Sequence, residues 1–475
     1  MVYAFFTFTI CRILFSRLVL SALSMFNYAK ANHDLLRRFY RLAVVNVLSN
    51  LTEPLAGLIG IAFLGHLTEI RYLAGVSLAT ILFNYIYENS LFLRISTTAL
   101  TAQAVGRNDQ EAILQTFLRN GFIALVLGVL IFILQYPIGA LGFTLLNGSP
   151  EVESIGLAYF NARIWGAPAV LLNFVIIGWF LGREQSGKVL LLTAIGNAAN
   201  IVLNYFSIMR WDLGSTGAGL SQAISEYLTL LVGMLLASRC IEWQELRTAV
   251  RQFWNWSAFE STFILNSDVL VKSLIYMSAW TIFFNLSATF GTEILAENTL
   301  LQQVVFLIMF LVDGIGFTTE TLTGNFKGQS ANDQLLPLLQ ISLLTSLLLA
   351  VTASGACILL PETVFGLLTN HTEVIQPIKR YVPWLLVVLS CFSIAWILEG
   401  YFTGLAKGQS LRNASFAAIL LGFAPVAVWA WLAHSNHLLW LATSALMATR
   451  VVILGVQLPQ TFESHSTAAS QMPKL

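Results

Sequence analysis

Apolar residues gather in long runs separated by short polar clusters along almost the whole sequence. Twelve runs have the length of about 20 residues that a helix needs to cross a hydrocarbon layer. They span 40–64, 72–102, 116–138, 155–182, 187–209, 215–238, 269–290, 295–325, 336–360, 378–403, 412–432 and 437–459. Clusters such as Gly106-Arg107-Asn108-Asp109, Asn147-Gly148-Ser149-Pro150 and Arg183-Glu184-Gln185-Ser186-Gly187-Lys188 punctuate them. Backbone groups in lipid must bond within their own segment, so the runs predict helices. No window alternates with the period of two that a lipid-facing barrel requires.

The pattern repeats itself. Leu73-Ala74 recurs 222 positions later as Leu295-Ala296, Leu100-Thr101 as Leu322-Thr323, and Gly106 as Gly328. The same offset relates Phe143-Thr144-Leu145-Leu146 to Phe365-Gly366-Leu367-Leu368, Glu151-Val152 to Glu373-Val374, Tyr159 to Tyr381 and Gly182 to Gly404. Six helices separate the copies, so both halves enter the membrane in the same sense, as parallel repeats do. The expected fold is all-α and polytopic: twelve transmembrane helices in two six-helix bundles, 37–238 and 269–460. A polar stretch, 239–268, is read as a cytoplasmic linker, and 461–475 as a disordered tail. Two like-oriented bundles are expected to enclose a central cleft whose rocking gives alternating access.

Residues 1–36 form an extension. Its apolar stretch from Met1 to Met25 carries Arg12 and Arg17. It reads as a targeting segment, as a mis-assigned start with Met25 the true initiator, or as a thirteenth span.

Composition sharpens the class. The sequence is 57% hydrophobic and 10% charged, against roughly 25% charged in soluble domains. The net charge of +1 gives no sign of nucleic-acid binding. Cys11, Cys240, Cys357 and Cys391 match no metal or redox spacing and read as packing thiols. No phosphate loop, HExxH or GxSxG element occurs, so neither enzymatic activity nor a cofactor is expected. Lys and Arg favour the amino end and the even-numbered turns, as at Lys30, Arg37, Arg38, Arg41, Arg107, Arg183, Lys188, Arg239, Arg247, Arg251, Lys327, Lys407 and Arg412. That asymmetry places both ends in the cytoplasm.

Polar side chains at membrane depth mark function or helix pairing. Asn46, Asn50, Glu53, Gly57 and Gly60 recur at spacings of 4, 3, 4 and 3, one helical face. Pro54 opens the backbone beside Glu53. Thr193, Asn197, Asn200 and Asn204 keep the same rhythm. The two stripes either line one wet cavity in the first half or bond helix to helix. In the second half Asn298, Gln302, Asp313 and Glu320 share one run, and Glu399 lies in another. Carboxylates there bind a cation or take up protons, unless an arginine pairs with them. Glu88, Arg94, Arg163 and Glu226 are open to the same pairing. Trp165, Trp179, Phe180, Phe283, Phe284, Phe306, Phe310, Trp384 and Trp396 either offer flat surfaces to lipophilic cations or pack the bundle.

Several stretches resemble the multidrug and toxic compound extrusion (MATE) family, in its DNA-damage-inducible-F-like branch. They are Asn50-Leu51-Thr52-Glu53-Pro54-Leu55, Phe63-Leu64-Gly65-His66-Leu67, the fifteen residues from Phe92 to Gly106, Gly196 to Asn204, Gly217-Ala218-Gly219-Leu220, Asp313-Gly314 and Glu399-Gly400. The resemblance spans about 37–460. It implies a V-shaped exporter of organic cations or amphiphilic drugs, driven by inward H⁺ or Na⁺. Relatives carry an aspartate where this chain has Gly60 and another where it has Asn204, while the carboxylate of the tenth helix is kept as Glu399. Either Glu53 has taken over coupling, or Asp313, Glu320 and Glu399 carry it, or the chain is no longer coupled.

The expected function is a secondary-active antiporter of the plasma membrane, acting as a monomer on small-molecule cargo. A flippase for lipid-linked oligosaccharide shares the architecture but needs an arginine-rich cavity, for which Arg94 and Arg163 are the candidates. A non-transporting membrane scaffold or sensor needs an appended soluble domain, and no segment is long and polar enough for one.

Overall fold

The computed structural model describes residues 33–462 except 66–69, 147–148, 252 and 367–375. The extension up to residue 32 and the tail from 463 lie outside the described residues, as do the side chain of Glu53 and the surroundings of Gly60. The first half contains α1 (His33–Gly65), α2 (Ile70–Glu88), α3 (Phe92–Gly106), α4 (Gln110–Ile133), α5 (Gln135–Leu146), α6 (Pro150–Arg163), α7 (Ala167–Gly182), α8 (Ser186–Asn204) and α9 (Gly214–Ser238). A short α10 (Trp243–Arg251) follows. The second half runs through α11 (Trp256–Phe290), α12 (Thr292–Gly328), α13 (Leu335–Leu359), α14 (Pro361–Gly366), α15 (Pro383–Gly404), α16 (Gly408–Ala417), α17 (Ala424–Ala433) and α18 (Asn436–Gln457).

Ten helical segments among the described residues are long and apolar enough to cross a membrane. The two remaining expected spans are helical as well: α1 contains the first, and α2 with α3 forms the second. That second span breaks at residues 89–91. Asn89 donates its side chain to the Tyr85 carbonyl (2.7 Å) and Ser90 to the Ile86 carbonyl (2.8 Å). Side chains that cap the preceding turn in this way compete with helix continuation. The equivalent residues of the second half, Leu311, Val312 and Asp313, leave α12 unbroken.

The repeat is written into the backbone. The pair α2–α3 begins at 70 and ends at 106, and α12 begins at 292 and ends at 328, both ends 222 positions on. The same offset links the starts of α8 and α16 and of α9 and α18, and the ends of α7 and α15. Among the described residues, six non-glycine residues have positive φ: Asn108, Glu184, Asp212, Ser330, Ala406 and His434. They form three pairs 222 apart, each just beyond a helix end, where a left-handed residue stops the helix. Helix crossings repeat too. A Cβ on Gly182 would meet the Thr98 carbonyl and Thr101 Cβ at 2.7 Å, and one on Gly404 the Glu320 carbonyl at 2.4 Å and Thr323 Cβ at 2.8 Å. Gly178 and Gly400, one turn earlier, meet the Arg94 and Gly316 carbonyls. Each half therefore carries a small-xxx-small crossing at the same place.

Contacts group the chain into two units, 48–270 and 271–475 with 1–47. The cut thus falls inside α1 rather than before it. In the first unit, cores form around Phe83, Phe143 and Phe160 and around Trp179, Phe180 and Leu192. The stretch 239–268 is largely helical, comprising α10 and the start of α11. Asn266 is buried there against Asn120, its amide donating at 2.9 Å. In the second unit one core gathers Phe39, Phe283, Phe392, Tyr401 and Trp440. Outward faces stay apolar: Phe122, Leu125, Val126, Val129, Leu130 and Ile133 of α4 are exposed at helical spacing, as lipid contact requires.

Candidate functional sites: one polar network in each unit

In the first unit, α8 carries the amide stripe to its end. Asn204 is its last residue, and the chain continues as a π-helical turn, Tyr205–Arg210, a feature frequent at functional sites. Asn204 Nδ2 donates to Asn200 Oδ1 (3.0 Å), Asn200 Nδ2 to Gln222 Oε1 of α9 (2.9 Å), and Gln222 Nε2 to Glu226 Oε1 (3.3 Å). The other oxygen of Glu226 accepts from Asn173 Nδ2 of α7 (2.9 Å). Amides thus hold both carboxylate oxygens. Arg163 acts on Glu226 electrostatically. Its guanidinium donates to Tyr159 Oη (3.0 Å) and lies over the Phe83, Tyr87 and Tyr159 rings at 4.5, 5.6 and 5.7 Å. At the far end, Asn204 Oδ1 is buried and accepts no hydrogen bond.

In the second unit, Glu399 of α15 is held between Lys272 of α11 and Arg450 of α18, all three side chains buried. Tyr276 stands one turn beyond Lys272, and the charges of Arg450, Glu399 and Asp313 all reach its hydroxyl. Arg450 Nε is buried there without a hydrogen-bond acceptor. A carboxylate already neutralised by two cations is a poor site for a further cation or proton. Asn298, fully buried, exchanges amide hydrogen bonds with Asn436 (2.8 and 3.0 Å) and accepts from Trp440 Nε1 (2.9 Å).

The other expected residues separate. Asn46 belongs to the second unit and donates within it to Thr318 Oγ1 (2.9 Å), although its stripe pointed to a shared face with Asn197. Asn197 instead bonds Thr52 (3.0 Å), one position off that stripe. Asn50 is half-buried, Glu320 buried and Asp313 half-buried. Gln302 is buried with neither amide atom hydrogen-bonded. Of the aromatic residues, Trp179, Phe180 and Phe283 are core, while Trp165 is 58% exposed.

Sequence reasoning missed Lys272, Arg450, Gln222 and Asn173. Lys272 and Arg450 lie inside apolar runs, and the rule that singled out Glu399 singles out cations there equally. Their pairing crosses 127 and 51 positions, which no spacing rule reaches.

The family model described as MatE matches residues 46–206 and again 269–429, once in each repeat. DNA damage-inducible protein F of Escherichia coli (strain K12) is 32% identical over 435 residues, covering 90% of this chain and 92% of that protein. A probable multidrug resistance protein NorM of Thermotoga maritima is 21% identical, covering 79% and 80%. A crystal structure of a MATE in the bent conformation superposes with a TM-score of 0.81 at 17% identity, over 92% of this chain and 98% of that one.

Proposed function

Since the chain belongs to the MATE family of membrane transporters, we propose that it is a secondary-active antiporter exporting lipophilic or cationic small molecules in exchange for H⁺ or Na⁺. It works by alternating access as a monomer in the plasma membrane, with both termini in the cytoplasm. The observation that carries this reading is the amide chain from buried Asn204 and Asn200 to half-buried Gln222 and Glu226, a titratable group wired to a polar end inside an apolar bundle. Such a network is costly in a membrane unless it serves transport. The flippase reading loses support from Arg163, whose guanidinium is enclosed by three aromatic rings instead of facing a headgroup.

Accumulation of an organic cation dye in an efflux-deficient host tests the function. Expression of the chain is expected to lower dye content, and dissipating the ion gradients to restore it. Unchanged accumulation for every organic cation tried overturns export.

A further inference from the structure

The amide chain of the first unit has a direction. Every donor in it points toward Glu226: Asn204 to Asn200, Asn200 to Gln222, and Gln222 to the carboxylate. An ionised carboxylate accepts hydrogen bonds and cannot donate one, so its charge fixes that direction. Because each amide spends its nitrogen toward Glu226, the acceptor left over at the opposite end is Asn204 Oδ1. It is buried without a donor in a residue only 6% exposed. Leaving such an oxygen unmet is unfavourable, and a cationic group is the partner that best satisfies it.

Protonation of Glu226 reverses the chain. A proton taken up on Oε1 gives an O–H that donates to Gln222 Oε1, after the Gln222 amide turns over. Its Nε2 then donates to Asn200 Oδ1, and Asn200 Nδ2 to Asn204 Oδ1. No atom is gained or lost except the one proton, and each amide only exchanges its donor and acceptor ends. The free end at Asn204 is now Nδ2, which repels a cation. Asn173 keeps its bond to Oε2 in both states. The charged and titratable groups facing Glu226 are Arg163 from α6 and Tyr87 from α2. Arg163 stays charged throughout, and α7 and α8 contribute Asn173 and Asn200.

We propose that Glu226 is the proton site of this transporter, and that the Asn200–Gln222 relay converts its protonation into loss of a monovalent cation from Asn204. The cation is either Na⁺ or the ammonium-like group of cargo, which share this chemistry. The proposal rests on the antiporter reading above and makes it specific.

The test uses the full chain in liposomes, with phenethylammonium chloride and NaCl offered separately. Affinity is measured against pH, and the carboxyl stretch of protonated Glu226 is followed by infrared difference spectroscopy. Affinity for one of the two cations should rise about tenfold per pH unit below the titration of Glu226, and adding that cation should remove the carboxyl band. Glu226→Gln should abolish both the band and the pH dependence. Asn204→Val should keep the band, showing the site intact, while the cation no longer removes it. That variant carries the test even where Glu226→Gln fails to fold. A carboxyl band that survives in Glu226→Gln, or a cation response unchanged in Asn204→Val, overturns the relay. Dye export with pH dependence intact in Glu226→Gln sinks the relay but leaves the antiporter standing. A relay that responds to Na⁺ in a protein that exports no dye removes only the drug-export reading.

Discussion

Replacing Glu399 by glutamine keeps the side chain's shape and deletes its charge, leaving Lys272 and Arg450 buried side by side. At contact distance and an effective dielectric of about 20, each lost attraction is on the order of 5 kcal/mol. Much of that was offset on folding by taking three charges out of water. The quantity that survives is the cost of stranding a buried charge, about 3–5 kcal/mol for one broken pair. Two cations are stranded here, so the upper end applies. For a unit of about 200 residues, roughly 2 °C is lost per kcal/mol. Glu399→Gln should therefore lower the melting temperature in detergent by about 10 °C, read by thermal unfolding of the purified protein. Lys272→Met alone leaves one cation facing one carboxylate and should cost less. Adding Lys272→Met to Glu399→Gln should recover part of the loss, because the two residues share one network and their effects are not additive. A Glu399→Gln protein that melts within about 2 °C of the parent would refute the ion-pair account and return Glu399 to the list of exchangeable carboxylates.

Gly404→Ala places a Cβ 2.4 Å from the Glu320 carbonyl, and Gly182→Ala one 2.7 Å from the Thr98 carbonyl. Each should cost about 1–3 kcal/mol by overpacking, visible as a lower melting temperature, whereas Gly355→Ala, which meets nothing within 4 Å, should be neutral. Gln302→Met removes a buried amide with no hydrogen bond and should raise stability by about 1–3 kcal/mol in the same assay. A loss of dye export in Gln302→Met without a loss of stability would instead give that amide a part in transport. Green fluorescent protein fused after the last residue should fluoresce, as it does only on the cytoplasmic side, and a dark but well-expressed fusion would reverse the topology.

Much of the fold was legible because lipid enforces local bonding: apolar runs had to be helices, and the offset of 222 survived in residue identities. The break at residues 89–91 was hidden, since Asn89 and Ser90 act through their own preceding turn and not through hydropathy. The candidate sites were half legible. The rhythm of α8 put Asn200 and Asn204 on one face, and they do bond. Their continuation to Gln222 and Glu226 depends on how α9 packs, which periodicity does not encode. Glu399 looked like a lone carboxylate because its partners lie 127 and 51 positions away. Asn46 kept the spacing of its stripe, yet α1 divides between two units at residue 47, and helical periodicity is blind to that division.

The repeat and the chemistry also obey different rules. Helix ends, left-handed stops and glycine crossings recur at 222, whereas the charged and amide networks do not. The counterparts of Glu226, Asn204, Asn200 and Asn173 are Ala448, Val426, Gly422 and Ala395, and those of Glu399 and Arg450 are Ile177 and Leu228. Backbone architecture is held by close-packed contacts that tolerate little change, so both copies keep it. A polar network in lipid is kept only where it has a task, and each half has a different one. The second unit holds its carboxylate between two permanent cations, which resists titration. The first holds its carboxylate with amides, whose donor and acceptor ends can be exchanged without moving a helix. Of the carboxylates held in these two networks, Glu226 is therefore the one built to change state, and a proton-coupled step belongs in the half whose network can be turned around.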